Sequence, residues 1–223
     1  KLGEALHDVR QNVVISTKSG GKDKKTVLAH IEQSLRSLRT DYIDLFQFHN
    51  PAVLPDPNDP DGPFAAALEM QKKGYIRHIG ITNHRMKVAR EAIDSGLYET
   101  LQFPFCYLAS EEEVALVRLC QEKDLGFIAM KGLSGGLLNN AEACYAFMRQ
   151  YPNVVPIWGI QHEWELDQWL ELSRRDPAMT PELQAVIERD RSELAGNFCR
   201  SCGYCLPCTA GIDIPQSARM SAL

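Results

Sequence analysis

The feature that most constrains the fold is a regular alternation of short apolar, β-rich segments with helical patterns. Six such segments predict strands, and their starts lie roughly 30 residues apart, which is the length of one strand–helix unit. The predicted strands cover residues 13–17, 42–48, 76–81, 100–103, 126–130 and 154–158. Regular β-α-β alternation predicts a parallel sheet that is covered by helices.

Helical periodicity fills the gaps between these strands. Leu28, Ile31, Leu35 and Leu38 recur at steps of three and four residues, which places them on one face of a helix. Further helices are predicted over 64–73, 85–95, 111–123, 141–150 and 163–174. A closed (β/α)8 barrel would need two more units than the six that are visible, and an open doubly wound sheet is the alternative. No G-x-G-x-x-G turn follows any strand, which counts against the open sheet.

The bulk charge and the hydropathy pattern argue against two classes of function. The formal net charge of −5 does not suit a nucleic-acid-binding surface, which would normally show a basic stripe. No apolar stretch reaches about 18 residues, so we expect no membrane-spanning segment. The N-terminal residues also lack the apolar core of a secretory signal. We therefore expect a cytoplasmic protein with neither nucleic acid nor membrane as its partner.

A run of cysteines near the C-terminus carries a second kind of information. More than half of the seven cysteines lie in the stretch CRSCGYCLPC, at Cys199, Cys202, Cys205 and Cys208. The first three match the ferredoxin-type run C-x2-C-x2-C-x3-C-P, whose thiolates hold an iron–sulfur cluster. The fourth gap is also two residues and Pro207 precedes the last cysteine, so the match is weaker there. The run predicts a 4Fe-4S cluster.

Two other uses of these cysteines stay open. Structural zinc usually takes two Cys-x2-Cys pairs that are a dozen or more residues apart, and disulfides require an oxidising compartment. The remaining cysteines lie in apolar contexts that favour buried, unreactive thiols, and one of them is an alternative fourth cluster ligand. These are Cys106, Cys120 and Cys144.

The chain is expected to have three parts. Residues 1–174 form a partial barrel, and residues 175–198 form a helical connector whose helix begins at Thr180 and Pro181 as N-cap and first residue. Residues 199–223 hold the iron–sulfur-type cysteine motif and a tail that we expect to be cut short.

Two stretches now point to a family. TDYIDLFQFHNP followed by GYIRHIGITNH resembles the aldo/keto reductases, and together with CRSCGYCLPC the chain resembles the subgroup with a C-terminal 4Fe-4S segment. The resemblance implies a (β/α)8 TIM-barrel fold, of which this sequence would supply strands 3–8 only, with a C-terminal helical extension and a cysteine-rich iron–sulfur loop. It also implies NADP or NAD as the cofactor.

The resemblance assigns catalytic roles to Lys18 and His49. Each follows or ends a predicted strand, where barrel active sites are built. The aspartate and the tyrosine that complete the family's site match no residue of this sequence. Either the parent protein is longer or this is a catalytically dead form, and we expect the 223 residues alone to be inactive.

The resemblance also implies cofactor contacts. It places Thr82, Asn83 and Gln102 at the nicotinamide, and it places the MKGLSGGLL loop and the turn after the last strand along the pyrophosphate. The residues of these last two segments are Lys131, Ser134, Gly135, Gly136 and Gly159. Where the family usually offers a basic side chain for the 2′-phosphate of NADP, this sequence has Gln161 and His162, and the adenine-side asparagine is replaced by Trp169. The choice between NAD and NADP stays open.

Two functions from different classes follow. The first is an oxidoreductase that reduces a small-molecule aldehyde or ketone by hydride transfer from NAD(P)H, with an accessory iron–sulfur cluster. The alternative is a non-enzymatic electron-transfer or redox-sensing iron–sulfur protein on a barrel scaffold, which would require a redox partner protein. Substrate identity and oligomeric state have no signal in the sequence.

Overall fold

A computed structural model describes residues 1–194 and 205–221. Its six strands form one sheet in the order β1-β2-β3-β4-β5-β6, and the pairs β1–β2, β2–β3, β3–β4 and β5–β6 are parallel. The strands are β1 Ser16–Ser19, β2 Ile43–His49, β3 Ile76–Thr82, β4 Thr100–Pro104, β5 Gly126–Met130 and β6 Val154–Pro156. The predicted α/β fold with a parallel sheet is confirmed.

Helices occupy the connections between the strands, as the periodicity predicts. They are α1 Leu2–Ala5, α2 Lys24–Leu38, α3 Pro63–Lys72, α4 Met86–Ser95, α5 Glu111–Glu122, α6 Ala141–Met148, α7 Glu163–Arg175, α8 Pro181–Glu193 and α9 Ile214–Ser221. The predicted N-cap of α8 is confirmed, because the Thr180 side chain accepts a hydrogen bond from the backbone N–H of Leu183. Within the described residues, no helix is both long enough and apolar enough to cross a bilayer.

The strand boundaries differ most from the prediction at β1 and β6. The first strand was expected over residues 13–17, but β1 begins only at Ser16. The backbone carbonyl of Ile15 still accepts from the N–H of Leu45 at 3.1 Å, but its N–H is taken by the carboxylate of Asp44 at 2.9 Å. Val14 is 81% exposed, so the regular pairing begins only after Ile15. At the other end β6 stops at Pro156, two residues before the predicted end at Trp158.

The chain divides into two compact units. Unit 1 comprises Lys1–Phe103 and Leu119–Gly126, and unit 2 comprises Pro104–Arg118 and Phe127–Leu223. The core of unit 1 contains an aromatic cluster in which the rings of Phe48 and Phe64 stack at 5.7 Å, with Tyr98 edge-on to both. Helix α2 covers this sheet through Val27 and Ile31, which are fully buried. Val27 belongs to the buried stripe although the predicted face began at Leu28.

A buried ion network fixes the beginning of β2 in unit 1. Asp44, which is 8% exposed, accepts hydrogen bonds from Arg10 at 2.8 Å and from Arg77 at 3.1 Å. Both guanidinium groups also lie against the ring of Tyr42, at 4.0 and 3.7 Å from its centroid. Burial alone would raise the pKa of Asp44, but the N–H of Ile15 and the charge of Arg10 outweigh it and hold that pKa below its ordinary value.

Unit 2 has its own aromatic core and a polar anchor for α8. The core is formed by Phe105, Phe127, Phe147 and Tyr151, with ring centroids 5.1–5.7 Å apart for the neighbouring pairs. The fully buried Tyr107 donates its hydroxyl to Asp190 of α8 at 2.5 Å, and Arg191 donates to the backbone carbonyl of Tyr107 at 2.6 Å. Burial raises the pKa of Tyr107, so this hydroxyl keeps its proton.

Replacing Asp44 tests the ion network. We expect Asp44→Asn to lower the free energy of unfolding by about 2–4 kcal/mol at pH 7, because it leaves the guanidinium of Arg10 buried without its anion. Since the pKa of Asp44 is depressed in the folded state, the difference from the wild type should shrink as the pH falls below about 4. Urea denaturation at several pH values measures this. Asp41→Asn, at an exposed neighbouring carboxylate, should change stability by less than about 0.5 kcal/mol.

The anchor of α8 can be tested by removing one hydroxyl. We expect Tyr107→Phe to lower the free energy of unfolding by about 1–3 kcal/mol, because Oδ2 of the mostly buried Asp190 loses its hydroxyl donor. Tyr145→Phe serves as the control, since the hydroxyl of Tyr145 contacts Asp176 on the exposed surface. Thermal denaturation followed by circular dichroism compares the two. Equal losses for both variants would show that the buried bond does not anchor the helix.

Candidate active site

Toward the carboxyl ends of β1–β4 in unit 1, one face of the sheet is polar and the other is apolar. Side chains alternate along a strand, and parallel partners in register point to the same side. The register pairs Lys18 with Gln47, His49 with Thr82, and Thr82 with Gln102, so these five side chains share one face. The opposite face carries Phe46, Phe48, Ile79 and Ile81, all of them buried. The polar face is therefore the candidate site.

The two residues expected to be catalytic lie together at the carboxyl ends of their strands. His49 is the last residue of β2, and Lys18 lies one residue before the end of β1. Lys18 pairs with Gln47, which is two residues from His49 on the same face. The structure thus brings an ammonium group and an imidazole to one end of one face.

Both groups have depressed pKa values. Burial lowers the pKa of Lys18, although part of its side chain is exposed. Burial lowers the pKa of His49 as well, and the positive charge of Lys18 lowers it further. The imidazole is accordingly neutral at pH 7, with one ring nitrogen able to donate a hydrogen bond and the other able to accept one.

A glutamine that the sequence reasoning did not select occupies the middle of this face. Gln47 is 1% exposed, and its Nε2 donates to Oγ of Ser16 at 2.8 Å and to Oε1 of Gln102 at 3.1 Å. Its Oε1 is buried and has no hydrogen-bond partner among the described residues. A buried acceptor without a donor is costly, so this oxygen is suited to a ligand that brings one. The signal in the sequence was a polar residue inside the apolar strand YIDLFQF.

A close approach of β3 and β4 shapes the same face. A Cβ at Gly80 would lie 2.1 Å from Oγ1 of Thr100, so a larger residue cannot occupy that position without displacing β4. The Oγ1 atom of Thr100 is buried and has no partner among the described residues. The hydroxyl of Thr100 therefore fills the space that a side chain at Gly80 would need. Neither residue was selected from the sequence.

Thr82 is the last residue of β3 and Asn83 follows it, and both contact neighbouring loops. The backbone N–H of Asn50 donates to Oγ1 of Thr82 at 3.1 Å. Asn83 is fully buried; its Nδ2 donates to the carbonyl of Pro51, and its Oδ1 accepts from the N–H groups of His84 and Arg85, all at 2.9 Å. The amide of Asn83 is thus engaged by the backbone. Its contacts favour positioning of the loop before α4.

The predicted pyrophosphate loop lies in unit 2 and has a strained backbone. Lys131, Ser134, Gly135 and Gly136 all have positive φ, at 61°, 47°, 73° and 98°. Lys131 and Ser134 are not glycines, and each such residue costs of the order of 1 kcal/mol or more. The Ser134 side chain is buried, while Lys131, Gly135 and Gly136 are exposed. The loop therefore has an energetically unfavourable backbone conformation, and its two glycines expose their backbone at the surface.

This loop borders a cavity of about 640 Å³ within unit 2. Its walls come from the loop and from the segment after β6: Met130, Lys131, Gly132, Leu133, Gly135, Gly136, Ile157, Trp158, Gly159, Gln161 and Glu165. A Cβ at Gly136 or Gly159 would meet nothing within 4 Å, so open space adjoins both backbones. The structure places four predicted cofactor residues here, namely Lys131, Gly135, Gly136 and Gly159. Glu165 and Trp158 were not selected.

The predicted metal ligands are only partly within the described residues. Cys199 and Cys202 lie outside them, and Cys205 is exposed while Cys208 is half-buried. The backbone N–H groups of Ile212 and Ala210 lower the pKa of the Cys208 thiol. Among the described residues, no group of three or more His, Cys, Asp or Glu side chains is arranged to hold a metal ion.

The other three cysteines are buried, as predicted. Cys106, Cys120 and Cys144 are at most 6% exposed. Burial raises the pKa of Cys120 to about 12 and raises that of Cys144 as well. Thiols with such raised pKa values hold their protons at neutral pH and are poor nucleophiles.

Comparison with known proteins gives three further findings. The chain is 31% identical over 148 residues to the uncharacterized oxidoreductase YcsN of Bacillus subtilis, which covers 57% of this chain and 48% of YcsN. Its structure is similar to the apo form of the aldo-keto reductase AKR11C1 of Bacillus halodurans, with a TM-score of 0.70 and 21% identity over 85% of this chain and 75% of that one. An aldo-keto reductase of Klebsiella pneumoniae in complex with NADPH gives a TM-score of 0.69 at 22% identity, over 84% and 73% of the two chains.

These findings differ in what they show. At 21–22% identity the solved structures show a shared fold and nothing more. The chain spans about half of the length of the first curated relatives that it matches. The model of the aldo/keto reductase family matches residues 1–175, most of the chain. This chain belongs to the aldo/keto reductase family.

Proposed function

We propose that this chain is part of an oxidoreductase that reduces a small-molecule aldehyde or ketone with NADPH or NADH. The observation that carries the proposal is the polar face of β1–β4, where Lys18 and His49 meet beside the glutamine pair Gln47 and Gln102. Membership of the aldo/keto reductase family and the complex of a Klebsiella pneumoniae relative with NADPH support it.

The residues of unit 1 fit a nicotinamide. A carboxamide brings one oxygen acceptor and two N–H donors, and the buried Oε1 of Gln47 is an acceptor without a described partner. Gln102 lies next to it, and Thr82 shares the same face. When bound, the cofactor would supply the hydride, while the protein supplies orientation and electrostatics.

Lys18 and His49 would act on the carbonyl oxygen of the substrate. As a carbonyl is reduced, negative charge develops on its oxygen, and a nearby ammonium stabilises that charge. The neutral imidazole of His49 can donate a hydrogen bond to the same oxygen and so orient the substrate. The resemblance also implies a tyrosine that acts as the general acid and an aspartate, and neither matches a residue of this sequence. We therefore propose that these 223 residues alone do not catalyse carbonyl reduction.

In unit 2, the glycine loop and its cavity suit a diphosphate. Open space beside Gly136 and Gly159 lets a ligand approach the backbone closely. Lys131 supplies a positive charge at the cavity wall, and phosphate oxygens are strong acceptors for an ammonium group. The costly backbone of Lys131 and Ser134 is consistent with a functional loop.

We also propose that the cysteine run binds a 4Fe-4S cluster, as in the subgroup that the sequence resembles. The spacing of the four cysteines supports this, as do the backbone N–H groups that lower the pKa of Cys208, because metal ligation requires the thiolate. The cluster would be structural, or it would pass single electrons to a redox partner protein. A role for the cluster alone, on an inactive scaffold, is the second candidate function.

Variants of Lys18 test the catalytic proposal in the full-length protein. We expect Lys18→Met to lower kcat/KM for aldehyde reduction by about 10²–10⁴-fold, because the developing alkoxide loses its cation. The Kd of NADPH or NADH should change by less than about 3-fold, since the ammonium acts on the substrate oxygen. Steady-state kinetics with an aldehyde panel and calorimetric titration measure the two quantities. Lys22→Met, at an exposed lysine before α2, is the matched control. A Lys18→Met enzyme as active as the control would refute the assignment.

Metal analysis of anaerobically purified protein tests the cluster. We expect brown protein with about four iron and four sulfide per chain, and loss of most of both in Cys208→Ser. Cys120→Ser, at a buried thiol outside the run, should retain the metal content. If the protein is colourless and contains stoichiometric zinc, the cysteines bind a structural zinc ion and the cluster assignment is wrong. A reversible signal on dithionite reduction without carbonyl reductase activity would favour the second candidate function.

A further inference from the structure

The cavity of unit 2 carries one cation and one anion among the residues that line it, Lys131 and Glu165. We infer that this cavity accepts the adenosine diphosphate part of NAD and discriminates against the 2′-phosphate of NADP through the carboxylate of Glu165. The inference rests on the nicotinamide-linked function proposed above and specifies which of the two cofactors is used.

The size and the walls of the cavity suit a nucleotide. Its volume of about 640 Å³ lies within the range of small-molecule sites, and glycine backbones form part of the wall. Trp158 lines it and stacks on the buried Trp169 with ring centroids 4.0 Å apart and planes 4° apart. A Cβ at Gly132 would lie 2.6 Å from Cζ3 of Trp158, so the indole fits closely against the loop. Trp158 therefore gives the cavity a rigid apolar wall, held in place by Trp169 and by the loop.

The carboxylate of Glu165 is held in place by the backbone. Its Oε2 accepts hydrogen bonds from the N–H groups of Gln161 and His162 at 2.6 and 2.8 Å, which fixes the side chain at the start of α7. The same two N–H groups lower the pKa of Glu165, so the group is ionised at neutral pH. A carboxylate has room for further hydrogen bonds and is a good acceptor for the hydroxyls of a ribose.

The charges of the cavity do not suit a third phosphate. The diphosphate bridge of either cofactor carries about two negative charges, and Lys131 opposes part of this. A 2′-phosphate would add about 1.5 to 2 further negative charges near pH 7. No arginine and no second lysine occur among the lining residues, all of which lie within the described part of the chain. The added phosphate would meet Glu165 without a guanidinium or ammonium partner.

Binding of nucleotide fragments tests this inference without any catalytic turnover. Calorimetric titration of the full-length protein with ADP-ribose and with 2′-phospho-ADP-ribose should show ADP-ribose binding at least about 10-fold more tightly. Glu165→Gln should bind 2′-phospho-ADP-ribose about 3- to 10-fold more tightly than the wild type, while its affinity for ADP-ribose changes by less than about 3-fold. The amide oxygen of glutamine can still accept a backbone N–H, which keeps the start of α7 intact.

Two further variants complete the test. Glu163→Gln removes a carboxylate from the same helical turn that does not line the cavity, and it should leave the ratio of the two affinities unchanged. Gln161→Arg adds a guanidinium at the cavity wall and should raise the affinity for 2′-phospho-ADP-ribose by about 10-fold. If Glu165→Gln does not fold, this arginine variant decides the question.

The outcomes separate this inference from the function on which it rests. Equal or tighter binding of 2′-phospho-ADP-ribose by the wild type would overturn it, as would a folded Glu165→Gln variant with an unchanged ratio. Failure of both fragments to bind at millimolar concentration would overturn it as well. Selective binding of ADP-ribose in a full-length protein that reduces no carbonyl would uphold the charge discrimination and refute the reductase.

Discussion

Side-chain alternation across the register of four parallel strands is the constraint on which the rest of unit 1 depends. It sends Phe46 and Phe48 toward the helices and Gln47 and His49 to the other side. A slip of β2 by one residue would bury His49 among aromatic rings and expose the phenylalanines. The buried pair of Asp44 and Arg10 lies at the beginning of the same strand, where it helps to fix the register that the polar face requires.

The strands and helices could be predicted from the sequence because their apolar periodicity is strong. The boundaries that failed depend on contacts between distant residues. Apolar residues 13–15 read as strand, but the carboxylate of Asp44 takes the N–H of Ile15, and no local pattern reveals this. Likewise Gln47 could be seen as a polar residue in an apolar strand, whereas its bonds to Ser16 and Gln102 follow only from the register.

The candidate site was predictable in part, through the family resemblance. A lysine or a histidine at the end of a strand is not by itself a sign of a functional site. The register adds that the side chains of Lys18 and His49 lie on the same face. Asn83 shows that a matching motif does not by itself assign a role to a residue. The resemblance places its amide at the nicotinamide, but the amide is hydrogen-bonded to the backbone of two loops. Glu165 shows the opposite limit: its sequence context is an ordinary helical first turn, and only the fold brings its carboxylate to the cavity wall.

The conformation of the glycine loop lowers the stability of the folded protein in a segment that is proposed to bind a ligand. Lys131 and Ser134 sit in left-handed backbone conformations that glycine or asparagine would adopt more cheaply. Replacing either residue by glycine or asparagine would raise the free energy of unfolding by about 1 kcal/mol, so selection for stability alone would favour the replacement. In the proposed function this loop is a preformed receptor, so the entropy cost of ordering it is incurred when the polypeptide folds and not when a ligand arrives.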